Sequence, residues 1–493
     1  MAGENAPHRY VFGDLREWLA AAEQLGEVKH LKGLSWEREI GMVSALVQRA
    51  DPAPCVVFED IPGVPAGFRV LSNFFGAKRA NVTLGFPPGM TRLELSDAFL
   101  EVYKNPANKP IPHVIVEDGP VFENILTGDA VDITRFPAPQ WHETDGGRYI
   151  GTGSYSVTRD PEDGWLNQGT YRVMVHDART VGIYMSPGKH GRIHRDKYAA
   201  KGERMPMAIV LGGNPMQFLL TGNEVPQGVS EYDVLGGLYG KPLECVRGKL
   251  TGLPFPKDAE IVLEGWIDPK EFRPEGPLGE WTGYYASGTR PEPVMHVEAI
   301  YHRNDPIMLG CVHELGPSEY SRYRAVTRSA LFKEALRSAG VPDVAAVWAH
   351  EFSGARMFVA VAIRQRYPGH ARQAGHVACQ CHVGAYAGKY VVVVDDDVDV
   401  SNLDELMWAM VTRSDPATSI DIVTGAWSSA LDPRIEPARK ERGDFTNSRA
   451  IIDACRPFHW RDQFPPVNSA SKAVQQETRE RFGWVLDGWG KSY

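Results

Sequence analysis

The segment Glu275-Gly276-Pro277-Leu278-Gly279-Glu280 places two carboxylates at either end of a short, turn-forming run. Proline suits the second position and glycine the fourth of a type I β-turn, so the chain is expected to reverse there and bring both acids to one side. Like charges held close together in a cavity raise the pKa of one of them, which is the arrangement general acid/base chemistry needs. By residue type alone, a pair of solvent-exposed turn glutamates is the ordinary alternative.

A second group lies upstream in Trp165-Leu166-Asn167-Gln168-Gly169-Thr170-Tyr171-Arg172. On one extended run Asn167 and Arg172 fall on opposite faces, because side chains alternate with period two; one could then meet a cofactor phosphate and the other a substrate. The alternative is a strand-edge arginine in solvent. His190 follows Ser186-Pro187-Gly188-Lys189, and Glu231 closes Pro226-Gln227-Gly228-Val229-Ser230. Asn167, His190 and Glu231 together make a mixed oxygen and imidazole set suited to Mn²⁺ or Mg²⁺ rather than to a thiophilic metal, although sequence distance alone does not join them. Asp395-Asp396-Asp397 with Asp399 reads either as a metal-binding carboxylate run or as a solvated loop that primes the next helix. Cys379 and Cys381 with His376 and His382 lack the ligand gap of common zinc sites. Gly151-Thr152-Gly153 lacks the third glycine of a dinucleotide fingerprint, and no phosphate-binding loop motif occurs.

Three kinds of texture must position these groups. Over about the first 110 residues helices alternate with short β-runs. Asp14 and Glu17 form a capping-box pattern ahead of Leu15, Trp18, Leu19, Ala22 and Leu25; Ser35 is expected to cap a second helix carrying Ile40, Val43, Leu46 and Val47; a third spans Leu93 to Tyr103. From Val114 to about Pro306 short β-branched runs separated by Gly and Pro predict an antiparallel barrel or sandwich with a helix near Arg195 to Lys201. Ser318 to Ser338 predicts a long connecting helix. Met357 to Ile363 and Tyr390 to Val394 are continuous apolar runs of a covered sheet, Asn402 to Thr412 a helix, the stretch after Leu431 polar and turn-rich, and Ala470 to Phe482 a terminal helix. The expected units are therefore 1–112 (α/β), 113–310 (barrel), 311–340 (connector), 341–465 (α/β) and 466–493 (helical tail).

The formal charge of −9 and pI near 6.0 argue against a nucleic-acid surface, which needs clustered cations. The stretch Met1 to Tyr10 has no apolar core of a secretory signal, and the longest apolar runs fall well short of the roughly 18 residues of a membrane helix. Six scattered cysteines are too sparse for a disulfide scaffold. A soluble, cytoplasmic enzyme acting on a small molecule is the expectation.

Taken in chain order, N-x-x-x-x-R, Val229-Ser230-Glu231, E-G-P-L-G-E and Lys389 followed by Tyr390-Val391-Val392-Val393-Val394-Asp395-Asp396-Asp397 resemble the UbiD family of prenylated-FMN-dependent reversible decarboxylases, over nearly the whole chain. The resemblance implies an N-terminal α/β region, a central split β-barrel of flavin-reductase type that holds the cofactor, and a C-terminal α/β domain for dimerisation. It implies that Asn167, His190 and Glu231 bind Mn²⁺ or Mg²⁺ with K⁺ nearby, and that Thr170, Tyr171, Lys189 and Lys389 join Asn167, Arg172, His190 and Glu231 around the cofactor. It makes Arg172, Glu275 and Glu280 the catalytic network: Arg172 orients the substrate carboxylate, the cofactor forms a covalent adduct, CO₂ departs, and Glu280 protonates the carbon. The implied partners are an aromatic or heteroaromatic acid, CO₂, further copies of the chain as a homodimer or higher homo-oligomer, and a flavin prenyltransferase as cofactor supplier. Two other readings stay open: a flavin-free metal-dependent lyase or hydrolase, and a non-catalytic subunit of a larger carboxylase.

Lys189 stands where some relatives resemble a Gln-His pair, and those acting on hydroxylated or dicarboxylated rings resemble Arg-His. A cation there can pair with a phenolate or second carboxylate, or meet only solvent or the cofactor phosphate. Lys189→Gln is expected to change the preference among benzoate, hydroxybenzoate and dicarboxylate substrates; an unchanged ranking in a competition assay removes this reading.

Overall fold

The computed structural model describes residues 10–486 apart from 106, 107, 187 and 224. The expectations for the first nine residues and for the tail beyond 486 lie outside the described residues.

The N-terminal region is a four-stranded sheet, Val28–Lys32, Cys55–Glu59, Arg69–Ser72 and Ile307–Leu309 in that order. Its last strand arrives from the far side of the central region and lies parallel to Arg69–Ser72. Asp14 caps the helix Leu15–Gln24 by accepting the Glu17 N–H at 2.8 Å, while Glu17 bonds the amide of Gly13 rather than that of the cap. A full capping box occurs instead at Thr91 and Glu94, ahead of Arg92–Lys104. The Ser35 expectation is overturned: its helix starts only at Glu39, and the Ser35 hydroxyl accepts from Glu37 N in the turn before it. Leu46, expected on the buried face, is 70% exposed. The buried face carries Ser44 and Gln48, whose polar atoms are satisfied, the Ser44 hydroxyl by Ile40 O and Ser72 and the Gln48 amide by Ser44 O and Glu319 N.

The central region is a nine-stranded sheet whose described pairs are antiparallel, with the helices His190–Lys201, Pro215–Thr221 and Glu231–Tyr239 laid against it. Along Met205–Leu211 alternate side chains enter two different cores, Met207 and Ile209 on one face and Ala208 and Val210 on the other. A strand covered on both faces reads as apolar throughout. Its two longest members, Ile261–Glu275 and Arg290–His302, pair with register shifts after Glu264 and Ile267. Irregularities of this kind bend and twist strands, and a bent sheet brings the ends of non-adjacent strands together.

The helix Glu319–Ser338 carries the chain onward, capped by Ser318 and Ser321, each hydroxyl accepting the other's amide N–H. It packs on Arg92–Lys104, with the Ser96 hydroxyl bonded to Val326 O and Lys333 paired to Asp97 at 2.7 Å. A single apolar cluster runs from Leu15 and Phe99 through Phe332 to Val361 and Val393, so the N- and C-terminal regions share a core. The C-terminal sheet has the order Val344–Ala349, Phe358–Ile363, Tyr390–Asp395, Thr446–Ala454, Ile420–Trp427, its middle three strands parallel. The polar stretch expected after Leu431 thus contains a central strand, Thr446–Ala454. Its one arginine, Arg449, is buried and bonds the carbonyls of Gly384 and Trp427.

The aspartate run closes this sheet as an ion-pair latch. Asp397 takes both Arg413 nitrogens at 2.9 and 3.0 Å, and Asp395 accepts the Arg456 amide at 2.7 Å. Cys379 is buried and His376 contacts Asp421; among the described residues no group of three or more His, Cys, Asp and Glu is arranged to hold a metal. No helix among them is long and apolar enough to cross a membrane.

Candidate active site

Arg172 opens the strand Arg172–Val175, and Glu275 ends the strand Ile261–Glu275. Two strands separate them in the sheet, yet the curl closes the gap. Arg172 Nε and Nη2 donate to the two oxygens of Glu275 at 2.9 and 2.8 Å, and Arg172 Nη1 donates to Glu280 Oε1 at 2.5 Å. The Tyr149 hydroxyl donates a third bond to Glu275 at 2.9 Å. Glu275 is 0% and Glu280 8% exposed, and the guanidinium lies over the Tyr184 ring.

The sharing is unequal. One cation and two carboxylates leave a net negative charge in a low-dielectric site unless one acid holds a proton. Glu275 accepts three hydrogen bonds, two of them a charged fork, whereas Arg172 offers Glu280 only one. Glu280 is therefore the less well supported of the two carboxylates. Burial pushes its carboxyl up to about 7; the guanidinium of Arg172 opposes that shift and the charge of Glu275 adds to it.

The segment that delivers Glu280 differs from expectation. The expected type I turn does not form: among the described residues no bond joins Gly279 N to Gly276 O, and 276–280 carry no turn, the chain turning only from Trp281 on; Gly276 has φ +91° and precedes a cis bond to Pro277. The segment is clamped from outside: Gly146 N donates to Pro277 O at 2.8 Å, and a Cβ on Gly146 would come 2.0 Å from Gly276 O, so only glycine fits there. Asp145 accepts from Gly279 N at 3.4 Å and is itself bonded by His142 and Tyr285.

The expectation that Asn167 and Arg172 share one extended run is also corrected. Leu166–Gly169 and Arg172–Val175 are separate strands, the first paired to Ser154–Arg159 and the second to Thr180–Tyr184. Thr170 and Tyr171 form the break, because the Tyr171 phenol turns back to accept Gly191 N at 2.9 Å and to meet Asn167 Nδ2 at 3.5 Å. Gly191 follows His190, whose ring packs edge-on against Trp165 at 4.8 Å. Glu231 starts the helix Glu231–Tyr239, and its Oε2 accepts Gln168 N at 2.9 Å. Tyr171 and Gln168 thus tie Asn167, His190 and Glu231 into one neighbourhood. Burial raises the Glu231 carboxyl to about 7, against the pull of the Gln168 amide. An acid buried on backbone amides, beside an amide and an imidazole, is a donor set for a hard divalent ion.

Lys189 is exposed just ahead of the His190 helix. Lys389 lies in the C-terminal region with its ammonium 2.8 Å from the buried Asp432; no hydrogen bond or ion pair among the described residues joins it to Arg172, Glu275 or Glu280. Sequence reasoning missed Tyr149, Tyr184 and the His142–Asp145 clamp. The Gly146-Gly147 pair ahead of Tyr149 was the available signal, since adjacent glycines mark a close approach of backbones.

Models of the 3-octaprenyl-4-hydroxybenzoate carboxy-lyase match three consecutive stretches: its N-terminal domain at 17–100, its Rift-related domain at 113–315 and its C-terminal domain at 323–454. The chain is 31% identical over 470 residues to a pyrrole-2-carboxylic acid decarboxylase of Pseudomonas aeruginosa, covering 92% of this chain and 93% of that protein. It is also 31% identical to a phenolic acid decarboxylase of Sedimentibacter hydroxybenzoicus, covering 91% and 92%. The structure superposes on the UbiD-class enzyme HmfF from Pelotomaculum thermopropionicum in complex with FMN at TM-score 0.83 and 28% identity, over 94% and 98% of the two chains. An evolved dimeric form of that enzyme, in complex with prFMN, gives 0.79 at 26% identity over 94% and 98%.

Burial raises three acids of this fold, Glu231 and Glu280 to about 7 and Glu319 to about 8, from an ordinary value of 4.5. The folded chain then holds protons that the unfolded chain has already released, so this stability is present below about pH 4.5 and is lost as pH rises through the folded values. Above pH 6.5 the buried His194, His313 and His350, whose values are lowered, no longer offset it. Thermal unfolding of cofactor-free protein should show stability falling between about pH 6.5 and 8, on the order of 1 kcal/mol per acid. Glu280→Gln should flatten part of that slope; an identical slope in the variant contradicts the assignment.

Proposed function

The chain belongs to the UbiD family of carboxy-lyases, and on that premise we propose that it is a non-oxidative, reversible decarboxylase of an aromatic or heteroaromatic acid, dependent on prenylated FMN, with Glu280 as proton donor. The observation that carries this reading is the buried Arg172 shared between Glu275 and Glu280. The FMN and prFMN complexes of HmfF support the cofactor, and the pyrrole-2-carboxylic and phenolic acid decarboxylases support the substrate class.

The residues present fit such a group. Ser154 and Ser156 point their hydroxyls to the same face of the sheet as Thr158 and Asn167, and both are buried without a hydrogen-bond partner among the described residues. Unsatisfied buried hydroxyls are costly, and a polyhydroxylated chain or phosphate would satisfy them. Asn167, His190 and Glu231 would hold Mn²⁺ or Mg²⁺, with K⁺ nearby, and Thr170, Tyr171, Lys189 and Lys389 would complete the cofactor's surroundings. When bound, prenylated FMN supplies the electron sink that loss of CO₂ from an sp² carbon demands.

The protein's own part is positioning and proton transfer. Three of the five N–H groups of Arg172 are engaged by Glu275 and Glu280, which leaves two to orient a substrate carboxylate. Glu275 fixes the guanidinium plane. Glu280, protonated near neutrality, delivers its proton to the carbon that CO₂ has left, and in the carboxylation direction it takes that proton back. Lys189 favours hydroxylated or dicarboxylated rings. The edge strand Ile420–Trp427 exposes Ile422 and Trp427, which supports burial against a second copy in a homodimer or higher homo-oligomer. A flavin prenyltransferase supplies the cofactor.

Glu280→Gln, produced with a prenylated-flavin supply, should keep the visible absorbance of bound cofactor and lose steady-state turnover by about 10²-fold or more on a panel of aromatic acids. Turnover at the wild-type rate overturns the role of Glu280. A colourless wild-type protein that still turns over overturns the cofactor.

A further inference from the structure

Behind Asn167 lies a row of buried polar groups that the reaction itself does not use. Asn167 Nδ2 is 3.4 Å from Thr158 Oγ1, the residue directly opposite it across the strand pair. Thr158 Oγ1 is 2.9 Å from His194 Nδ1, and His194 Nε2 is 3.6 Å from Asp160 Oδ2. Asp160 is anchored by Lys197 Nζ at 2.7 Å and by Glu162 N at 2.9 Å. All four members of the row are buried. Trp165 packs edge-on against both His190 and His194, at 4.8 and 5.2 Å, and so ties the row to the imidazole of the candidate cation site.

His194 Nε2 is buried without a hydrogen bond among the described residues and meets Asp160 only as a charge at 3.6 Å; two proton arrangements satisfy the rest of the row, and they have opposite consequences. In one, His194 carries its proton on Nδ1 and donates to Thr158, which donates to the Asn167 carbonyl; the Asn167 NH₂ then faces outward, where it would repel a cation. In the other, His194 carries its proton on Nε2, so Nδ1 accepts the Thr158 hydroxyl proton. Thr158 can then only accept from Asn167 Nδ2, and the Asn167 carbonyl is turned outward. The carboxylate of Asp160, standing opposite Nε2, selects the second arrangement, since a proton on Nε2 faces a negative charge and a lone pair there would be repelled by it. Tyr171 Oη, which accepts Gly191 N and lies 3.5 Å from Asn167 Nδ2, can serve either end of the amide, so the choice is made on the Thr158 side.

We propose that Asp160, His194 and Thr158 form a polarity-setting relay whose function is to present the Asn167 carbonyl oxygen, rather than its amide nitrogen, to a divalent cation. The inference rests on the reading of Asn167, His190 and Glu231 as a cation site. Asp160, His194 and Thr158 are positioning residues, and outer groups of this kind typically contribute 10–100-fold to metal affinity.

The test is Mn²⁺ affinity, read by electron paramagnetic resonance of free Mn²⁺ in chelator-stripped protein saturated with FMN, with no turnover required. The wild type should bind one Mn²⁺. Asp160→Asn, whose amide can donate to His194 Nε2 and reverse the relay, should weaken it about 10-fold or more. Thr158→Val should do the same, while Thr158→Ser, which keeps the hydroxyl, should bind within about threefold of wild type. Should Thr158→Val not fold, Asp160→Asn and Thr158→Ser still decide the matter. Wild-type affinity in Asp160→Asn overturns the relay and leaves the cation site standing, and so does an equal loss in Thr158→Ser and Thr158→Val. Absence of Mn²⁺ binding by the wild type overturns the cation reading and the relay with it.

Discussion

One guanidinium held between two buried carboxylates is the constraint from which the rest of this protein follows. A buried group of net negative charge is expensive, and the cheapest relief is a proton on whichever acid is less well solvated by the protein. Tyr149 and the two-pronged contact from Arg172 make that acid Glu280 rather than Glu275. An acid that remains protonated near neutrality, beside a cation able to take a substrate carboxylate, is what protonation of a decarboxylated carbon requires.

Holding this triad takes all three regions of the chain. The central sheet must curl for Arg172 and Glu275 to meet, and its paired irregularities after Glu264 and Ile267 are where the long strands bend. The loop after Glu280 is braced by the C-terminal region: Lys440 Nζ bonds Ala286 O at 3.3 Å, and a Cβ on Gly354 would come 2.1 Å from the Trp281 ring. The N-terminal region contributes through the connecting helix. Glu319, at that helix's start, accepts the amides of Asn73 and Phe75, both at 3.0 Å, and so joins the first sheet to the element that carries the chain to the third region. Glu280 is thus positioned by contacts from residues far apart in sequence, as expected for a site where regions of a chain meet.

The sequence made the chemical groups legible and left much of their setting obscure. Glu275 and Glu280 stand out by type and spacing, whereas Arg172 reads locally as a strand-edge residue and is joined to them only by the family resemblance; the geometry brings all three together. Glycine and proline between the acids announced a reversal, but not its kind, because the choice was made by Gly146 packing from another segment. Asn167 and Arg172 read as one strand because nothing local reveals that Tyr171 folds back to Gly191. Tyr149 was invisible, since a tyrosine on a strand is usually core, and only its partner makes it part of the site. The aspartate run after Val394 misleads in the opposite sense: its charges are answered by Arg413 and Arg456, from elements distant in sequence. The strand Thr446–Ala454 escaped notice because the carbonyl partners that allow Arg449 to be buried come from elsewhere in the fold. Local pattern specified element type well where the pattern was long, and failed where a distant residue decided.

The proton on Glu280 can be read by infrared difference titration of its carboxyl in cofactor-loaded protein, with Glu280→Gln as the blank. A protonated carboxyl band assigned to Glu280 and titrating near pH 7 is the expected result. A Glu280 carboxylate already fully ionised at pH 5, or a protonated band that belongs to Glu275 instead, would contradict the account.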